Sequence, residues 1–592
     1  MLLLPALIAA LLAAAHAAAQ AAPSPTYTPP DASQGTVASP AGASPNPQWS
    51  NLLGNTLWFY DAQRSGRLGA GAYGNRVGWR NDSALQDGAD WNLDLSGGWY
   101  DAGDYIKATF PLGYTMFSLA WGALSYGPGY DAAHQTAYLD GTLRWGYDWL
   151  MRAHPSDDVL FVQVGGNDAD LAYWGGDQNI PTPRQGFPVN ASHPGTDAWA
   201  STAAAFALGS LAYSGAQWNT SASAHAPASL TNGTYAALLL QHAESLYKTA
   251  KSTTPQATYS QSVPQIKAAY SSSGFGDDLT IAALALAAAT NSSSYYQDAY
   301  NYYQQYALSG KRLVWNWDSR SPAAFVLFAE VANARPGIAQ AAGLATNLTG
   351  WQQETEAYLD SIVNGKQGYL TKGGLLFYPG DSDEASLNPA VAAATLMLRY
   401  APLASSGDKT AAYNSFAKDQ IDYLLGNNPM SRVYIVGQHP NSPQNPHSAL
   451  AAGGSNINNI RSDPETEAYV LYGAMPGGPL KNDKFWDYRD DWVQTEIALD
   501  YNSNLPSIAA YQIVNGSADP FYVSLAANSY TTPGGQPCDA ALPCRSGLSA
   551  GAKAGVAIGV ILAVILIVGA LLFWQRDRVR RWRSGYRFPG TK

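Results

Sequence analysis

The chain has 592 residues, of which 46% are hydrophobic, 12% aromatic and only 13% charged, and its formal net charge is −10. Residues 575–592 hold seven basic groups and one aspartate, so the remainder stands at about −16, which argues against nucleic acid or polyanions as its ligands. Cysteine occurs only at Cys538 and Cys544, which excludes a thiolate nucleophile and a cysteine-ligated metal centre from the globular part.

In chain order, residues 1–20 read as a secretory signal: an apolar run, then small residues including Ala17 and Ala19, without the usual basic start. Residues 21–47, rich in Pro, Ser, Thr and Ala, read as a flexible linker. Twelve helices follow, with expected starts near Leu52, Pro111, Tyr138, Thr196, Tyr235, Asp277, Tyr295, Ser321, Trp351, Asn388, Ala412 and Asp491. Asn388-Pro389 and Thr196-Asp197 supply start signals. Ala203–Leu211 and Ile281–Ala289 are almost wholly apolar, so their helices should be buried on most sides. Strand-like alternation is confined to Leu160–Val164 and Val433–Val436. The expectation is one all-α domain over 48–513, and twelve helices are the number needed for six helical hairpins in a double-layered toroid. Its long aromatic loops are where a ligand should bind.

Beyond a 514–554 spacer, in which Cys538 and Cys544 should close a small disulfide loop, Gly555–Trp574 is an apolar run of 20 residues. At about 1.5 Å per residue it spans roughly 30 Å, a bilayer core. Arg576, Arg578, Arg580, Arg581, Arg583 and Arg587 follow it, against Arg545 and Lys553 before it. That asymmetry predicts a single-pass type I membrane protein, with 575–592 as a basic cytoplasmic tail and the globular part at the cell surface. Seven Asn-x-Ser/Thr acceptors, at Asn81, Asn190, Asn219, Asn232, Asn291, Asn347 and Asn515, agree with a glycosylated ectodomain.

Two segments carry chemistry. Gly97–Lys107, GGWYDAGDYIK, sets Asp101 and Asp104 three residues apart among glycines and aromatics, a setting for acid–base work on a hydroxyl-rich substrate. It reads equally as a tight turn whose aspartates bind backbone N–H groups. Phe485–Ser503 places Glu496 among apolar and aromatic residues on an expected helix, where desolvation would keep it protonated.

Together these segments resemble glycoside hydrolase family 9, the cellulase family of (α/α)6 toroids. Phe485, Asp487, Trp492, Glu496, Ala498, Asn502 and Ser503 match its C-terminal signature, and the resemblance extends from Trp49 to Ile513. It implies Asp104 as general base, Asp101 as a second holder of the attacking water and Glu496 as general acid. It also implies inversion, with acid and base carboxyls roughly 6.5–9.5 Å apart; Asp101 and Asp104 should influence each other's titration. Tyr501, His447, Trp174 and Tyr105 become expected substrate-binding residues. Ser273, Gly274, Asp277 and Asp278, with Asp318, resemble the family's calcium loop, whose oxygen ligands suit Ca2+; Asp278 stands where the family more often has Glu, and no organic cofactor is implied.

The sequence departs from the pattern at Ala449, two residues past His447, where the family has arginine, and at Leu171, where histidine follows the Asp170 position. The implied activity is an endo-β-1,4-glucanase, acting as a monomer on cellulose or related β-glucans. With no carbohydrate-binding module recognised, amorphous or soluble glucan is the expected substrate. The alternatives are an exo-acting glucosidase or glucosaminidase on short β-linked oligosaccharides, and a non-catalytic surface protein that binds wall glucan.

Overall fold

The computed structural model describes residues 27–69, 74–218, 224–344, 347–544 and 550–584. The expected signal segment 1–20, the start of the linker, Asn219 and the tail from 585, with Arg587, lie outside the described residues.

Among the described residues, twelve helices of ten or more residues build the first compact unit, which runs to Gln536. They are α1 Pro47–Gln63, α2 Thr109–Ala132, α3 Thr136–Ala153, α4 Thr196–Tyr213, α5 Gly233–Ser252 and α6 Gly276–Thr290, then α7 Ser293–Gln305, α8 Ser321–Ala334, α9 Leu348–Val363, α10 Leu387–Tyr400, α11 Gly407–Leu424 and α12 Leu505–Val514. The even-numbered helices have little polar face, and every residue of α4 and α10 is buried. They touch in a closed ring, α2 to α4 to α6 to α8 to α10 to α12 and back to α2. Each pairs with an outer helix: α3, α5, α7, α9 and α11 in turn, and α1 with α12. Outer helices are amphipathic, as in α5, where Tyr235, Leu239, Ala243, Leu246 and Ala250 form the buried stripe. The result is the (α/α)6 toroid.

The connections decide where chemistry can sit. Chain leaving an inner helix returns to an outer one within short stretches such as 133–135 and 291–292, whereas chain entering an inner helix first runs through 154–195, 253–275 or 425–504. Alternating inner and outer helices place every entering loop on one face of the toroid.

Leu160–Val164 is a strand as expected, β2, between β1 Lys107–Ala108 and β3 Gly186–Val189 in an antiparallel sheet. Val433–Val436 is not; it makes a single bridge, Leu425 to Val433, and turns at Gly437, which has φ 70°. Asn388 lies inside the first turn of α10 rather than capping it. Helix α12 starts at Leu505, well beyond Asp491.

Both ends of the expected 48–513 domain extend further. Residues 27–46 lie against the helices instead of forming a free linker: Tyr27 Oη donates to Asn51 O at 2.8 Å, and Asn46 caps α1. Asp519 accepts from Ser39 N and Asn46 Nδ2, both at 2.8 Å, while Trp49 Nε1 donates to Ala518 O at 2.8 Å. Tyr522 is fully buried and receives Gln438 Nε2 at 3.0 Å, so the start of the expected spacer is part of the domain.

The second unit, from Pro537, contains the bonded pair Cys538–Cys544 and one long helix, α13 Ala550–Ser584. Within it Ala557–Arg580 contains an 18-residue stretch of mean hydropathy 2.9, and its described side chains are exposed.

Three inner helices meet at a buried ion pair. Arg399 of α10 lies 3.1 Å from Glu330 of α8 and 3.7 Å over the Trp121 ring of α2, whose Nε1 donates to Glu330 at 2.7 Å. Arg399→Ala leaves a carboxylate buried without its cation, which should cost about 3–5 kcal/mol of stability; a shift in the urea midpoint of unfolding measures it.

Candidate active site

The segment Gly97–Lys107 enters α2 and is anchored from below. Trp99 Nε1 donates to Tyr60 O at 2.8 Å, Tyr100 Oη donates to Ser83 Oγ at 2.8 Å, and Lys107 Nζ pairs with the buried Asp87 at 2.7 Å. Between these anchors Asp101 and Asp104 reach a cavity of about 210 Å³, shared with Ala102, Ile106, Asp170, Tyr270, Glu496 and Tyr501.

The two aspartates differ in their surroundings. Asp101 is 1% exposed; its Oδ2 accepts from Tyr270 Oη and its Oδ1 has no hydrogen-bond partner. Burial raises its pKa well above the usual carboxylate range, while the Tyr270 bond pulls downward. Asp104 is half-buried, and burial pushes its pKa up to about 6. Among the described residues no donor satisfies its carboxylate. The acid that Asp104 most affects besides Glu496 is Asp170, whereas mutual titration with Asp101 was the expectation.

Glu496 is not on a helix. It is extended, with φ −65° and ψ 141°, between helical turns at Trp492–Thr495 and Leu499–Asn502. Neighbouring loops claim its main chain: Gly477 N donates to Glu496 O at 2.8 Å, and His447 and Glu496 form a parallel bridge. Burial, then the charges of Asp104 and Asp101, drive its pKa far upward.

Asp104, His447 and Glu496 each present an atom within 4.8 Å of the others. This nearest-atom approach is shorter than the roughly 6.5–9.5 Å expected between the carboxyl groups of an inverting pair, and is measured between oxygens that lie closer than the carboxyl centres. His447 Nδ1 meets Arg489 O at 2.7 Å, so Nδ1 carries the proton, because a carbonyl only accepts. Burial lowers its pKa to about 4, leaving a neutral ring. A carboxylate–imidazole–carboxylate group has metal-ligand chemistry, yet a cation here would occupy both the free carboxylate and the protonated one that acid–base work requires.

Two expected sugar contacts are corrected. Trp174 is 2% exposed and Tyr105 is 0% exposed. Both pack in a cluster with Tyr100, Ala449 and Leu450, and the Trp174 ring lies 4.9 Å from His447. They support the site from behind and do not face the cavity. Tyr501 does face it. Tyr270 was not foreseen; a lone tyrosine after Ala268-Ala269 has no spacing that signals it.

Of the expected calcium residues, Ser273 and Gly274 lie on the loop entering α6, Asp277 and Asp278 in its first turn, and Asp318 on the loop entering α8. Asp277 Oδ2 accepts from Arg320 N at 2.7 Å, and Asp318 Oδ1 accepts from Ser273 N at 2.8 Å. Asp278 is fully buried, neither oxygen has a hydrogen bond, and Arg320 Nε is 3.7 Å away. Among the described residues, the three carboxylates do not close on one point as Asp104, His447 and Glu496 do.

Residues 49–509 match Glycosyl hydrolase family 9. The chain belongs to that family. It is 30% identical to Endoglucanase 10 of Arabidopsis thaliana over 82% of this chain and 91% of that one. It is 34% identical to Endoglucanase A of Bacillus pumilus over 76% of this chain and 64% of that one. The structure of an endoglucanase from the termite Nasutitermes takasagoensis superposes with a TM-score of 0.69 and 32% identity, covering 79% of this chain and 99% of that one. The chain spans less than two thirds of the length of the bacterial relatives it matches.

Within this family-9 site, Gly103 brings the base loop against the His447 loop. A Cβ there would collide with His447 O and lie 2.8 Å from its Cδ2. Gly103→Ala should therefore displace His447 and lower kcat/KM on a soluble glycan about a hundredfold. Steady-state kinetics on protein of unchanged melting temperature would show it.

Proposed function

We propose that the chain is an endo-β-1,4-glucanase that hydrolyses cellulose or related β-glucans in one inverting step. The observation that carries the acid–base reading is the meeting of Asp104 and Glu496, remote in sequence, within 4.8 Å at one cavity; inversion is what the family resemblance implies. Their surroundings divide the work. Asp104, without a donor, is the general base that takes a proton from water. Asp101, held by Tyr270, presents its unpartnered Oδ1 to the same water. Glu496, kept protonated by burial and by the neighbouring carboxylates, gives its proton to the leaving glycosidic oxygen as water bonds to the anomeric carbon. Neutral His447 and Tyr501 border the reacting sugar. The names of the relatives, all endoglucanases, support the glucan substrate.

Ser273, Gly274, Asp277, Asp278 and Asp318 would hold a structural calcium ion, and the fully buried, unbonded Asp278 carboxylate fits a cation. Bound there, calcium would supply charge compensation and tie the loops entering α6 and α8. The helix Ala557–Arg580 is long and apolar enough to cross a membrane; with the basic residues after it, it supports a type I anchor with the catalytic unit outside. Exposed Asn81, Asn291, Asn347 and Asn515 suit glycosylation on that side.

Glu496→Gln and Asp104→Asn should each lower hydrolysis of a soluble β-1,4-glucan by at least the 10²–10⁴-fold typical of a lost general acid or base. Viscosity should fall ahead of reducing-end release in the parent enzyme. Wild-type rates in Glu496→Gln would defeat the enzymatic reading, and reducing ends released without viscosity loss would favour exo action.

Calcium added to chelator-treated protein at a hundred times its Kd should stabilise it by about 2.7 kcal/mol. Asp278→Asn should abolish that rise in melting temperature.

A further inference from the structure

Asp170 lies in the motif where histidine is replaced by Leu171, and nothing in the mechanism above uses it. It ends the helical turn Asn167–Asp170 in the loop between β2 and β3, and its carboxylate lines the same cavity as Asp101, Asp104 and Glu496. Its Oδ1 accepts from Tyr105 N at 2.9 Å, on the residue after Asp104. The other side of that residue is also held: Arg184 Nη2 donates to Tyr105 O at 2.7 Å, and Arg184 Nε is fixed by Asp87 at 2.8 Å. Residue 105 is therefore clamped at both its N–H and its C=O. This matters because Asp104 has no side-chain hydrogen bond of its own among the described residues, so its position depends on the backbone that carries it.

We propose that Asp170 is a positioning residue for the base: its oxygen holds the backbone just after Asp104. The proposal rests on Asp104 being the base. The groups around the pair are few. Glu496 and the neutral His447 face Asp104; the Arg184 guanidinium acts on Asp170, and Asp170 in turn raises Asp101. Burial and Asp104 push Asp170 up to about 7, against Arg184 and the N–H groups of Tyr105 and Ile106, which pull it down. Asp104, at about 6, therefore ionises before Asp170, and what Asp170 gives it is position.

The test is the pH dependence of kcat and kcat/KM on a soluble β-1,4-glucan, using the full chain and variants whose melting temperatures are checked. Asp170→Asn keeps an oxygen able to accept from Tyr105 N and removes the charge. It should keep a plateau kcat within a few-fold of the parent and leave the acid limb in place, because Asp104, at about 6, ionises while Asp170, at about 7, is still protonated. Asp170→Ala removes the acceptor; it should show a plateau kcat at least tenfold lower, with KM little changed. Should Asp170→Asn fail to fold, Asp170→Ser, which keeps a short acceptor, is read in its place. An Asp170→Ala enzyme with the parent's plateau overturns the proposal, as does an Asp170→Asn enzyme as impaired as Asp170→Ala. Asp104→Asn is assayed alongside: undiminished activity there overturns the base assignment itself, independently of what Asp170 does.

Discussion

Three loops far apart in the sequence are sewn together by main-chain hydrogen bonds, and the site depends on that seam. Leu499 N donates to Asp101 O at 2.9 Å, Ala449 N to Gly103 O at 2.8 Å, and His447 N to Thr495 O at 2.9 Å. The loops of Asp104, His447 and Glu496 thus form a closed triangle. Gly103 is the corner where backbone meets backbone, which is why no side chain fits there. Ala449, at the family's arginine position, is spent in the same way: it is fully buried, and its N–H closes one side of the triangle. Backbone bonds fix relative position more tightly than long side chains can, which is what a reaction needing two carboxyl groups at fixed separation requires.

The toroid makes the triangle possible. Closed packing of the inner ring sends every long entering loop to one face, so segments at residues 101, 170, 270, 447 and 496 become neighbours. What distinguishes the acids once there is what each is given. Asp101 receives a tyrosine hydroxyl, Asp104 receives no hydrogen bond, and Glu496 receives two nearby carboxylates in a poorly solvated pocket. Burial raises the proton affinity of all three, and Glu496 is raised further by the charges of Asp104 and Asp101.

Much of this was legible in the sequence. The unbroken apolar faces of α4 and α6 announced the inner ring, and the two segments singled out for their acids, with Asp101, Asp104 and Glu496, do meet at one cavity. The failures have physical causes. Trp492 to Tyr501 reads as helix, but Glu496 lies between loops that capture its backbone groups, and local propensity yields to those bonds. Trp174 and Tyr105 look like sugar platforms by residue type; only packing shows that they are buried behind His447. Residues 27–46 look too polar to fold, yet Tyr27 bonds to Asn51, and Ser39 and Asn46 bond to Asp519, which fixes the segment to α1 and to the end of the helical domain. Tyr270 and Asp170 act through contacts between remote segments that no local pattern encodes.

The account stands on Asp104 and Glu496 acting in a single displacement at one anomeric carbon. Proton NMR of the first product formed from a soluble β-1,4-glucan, recorded before mutarotation, tests that most directly. The account predicts that the α-anomer accumulates first, as inversion of a β-linkage requires. Initial accumulation of the β-anomer would mean that a carboxylate forms a covalent intermediate, and would contradict the division of labour assigned here to Asp104 and Glu496.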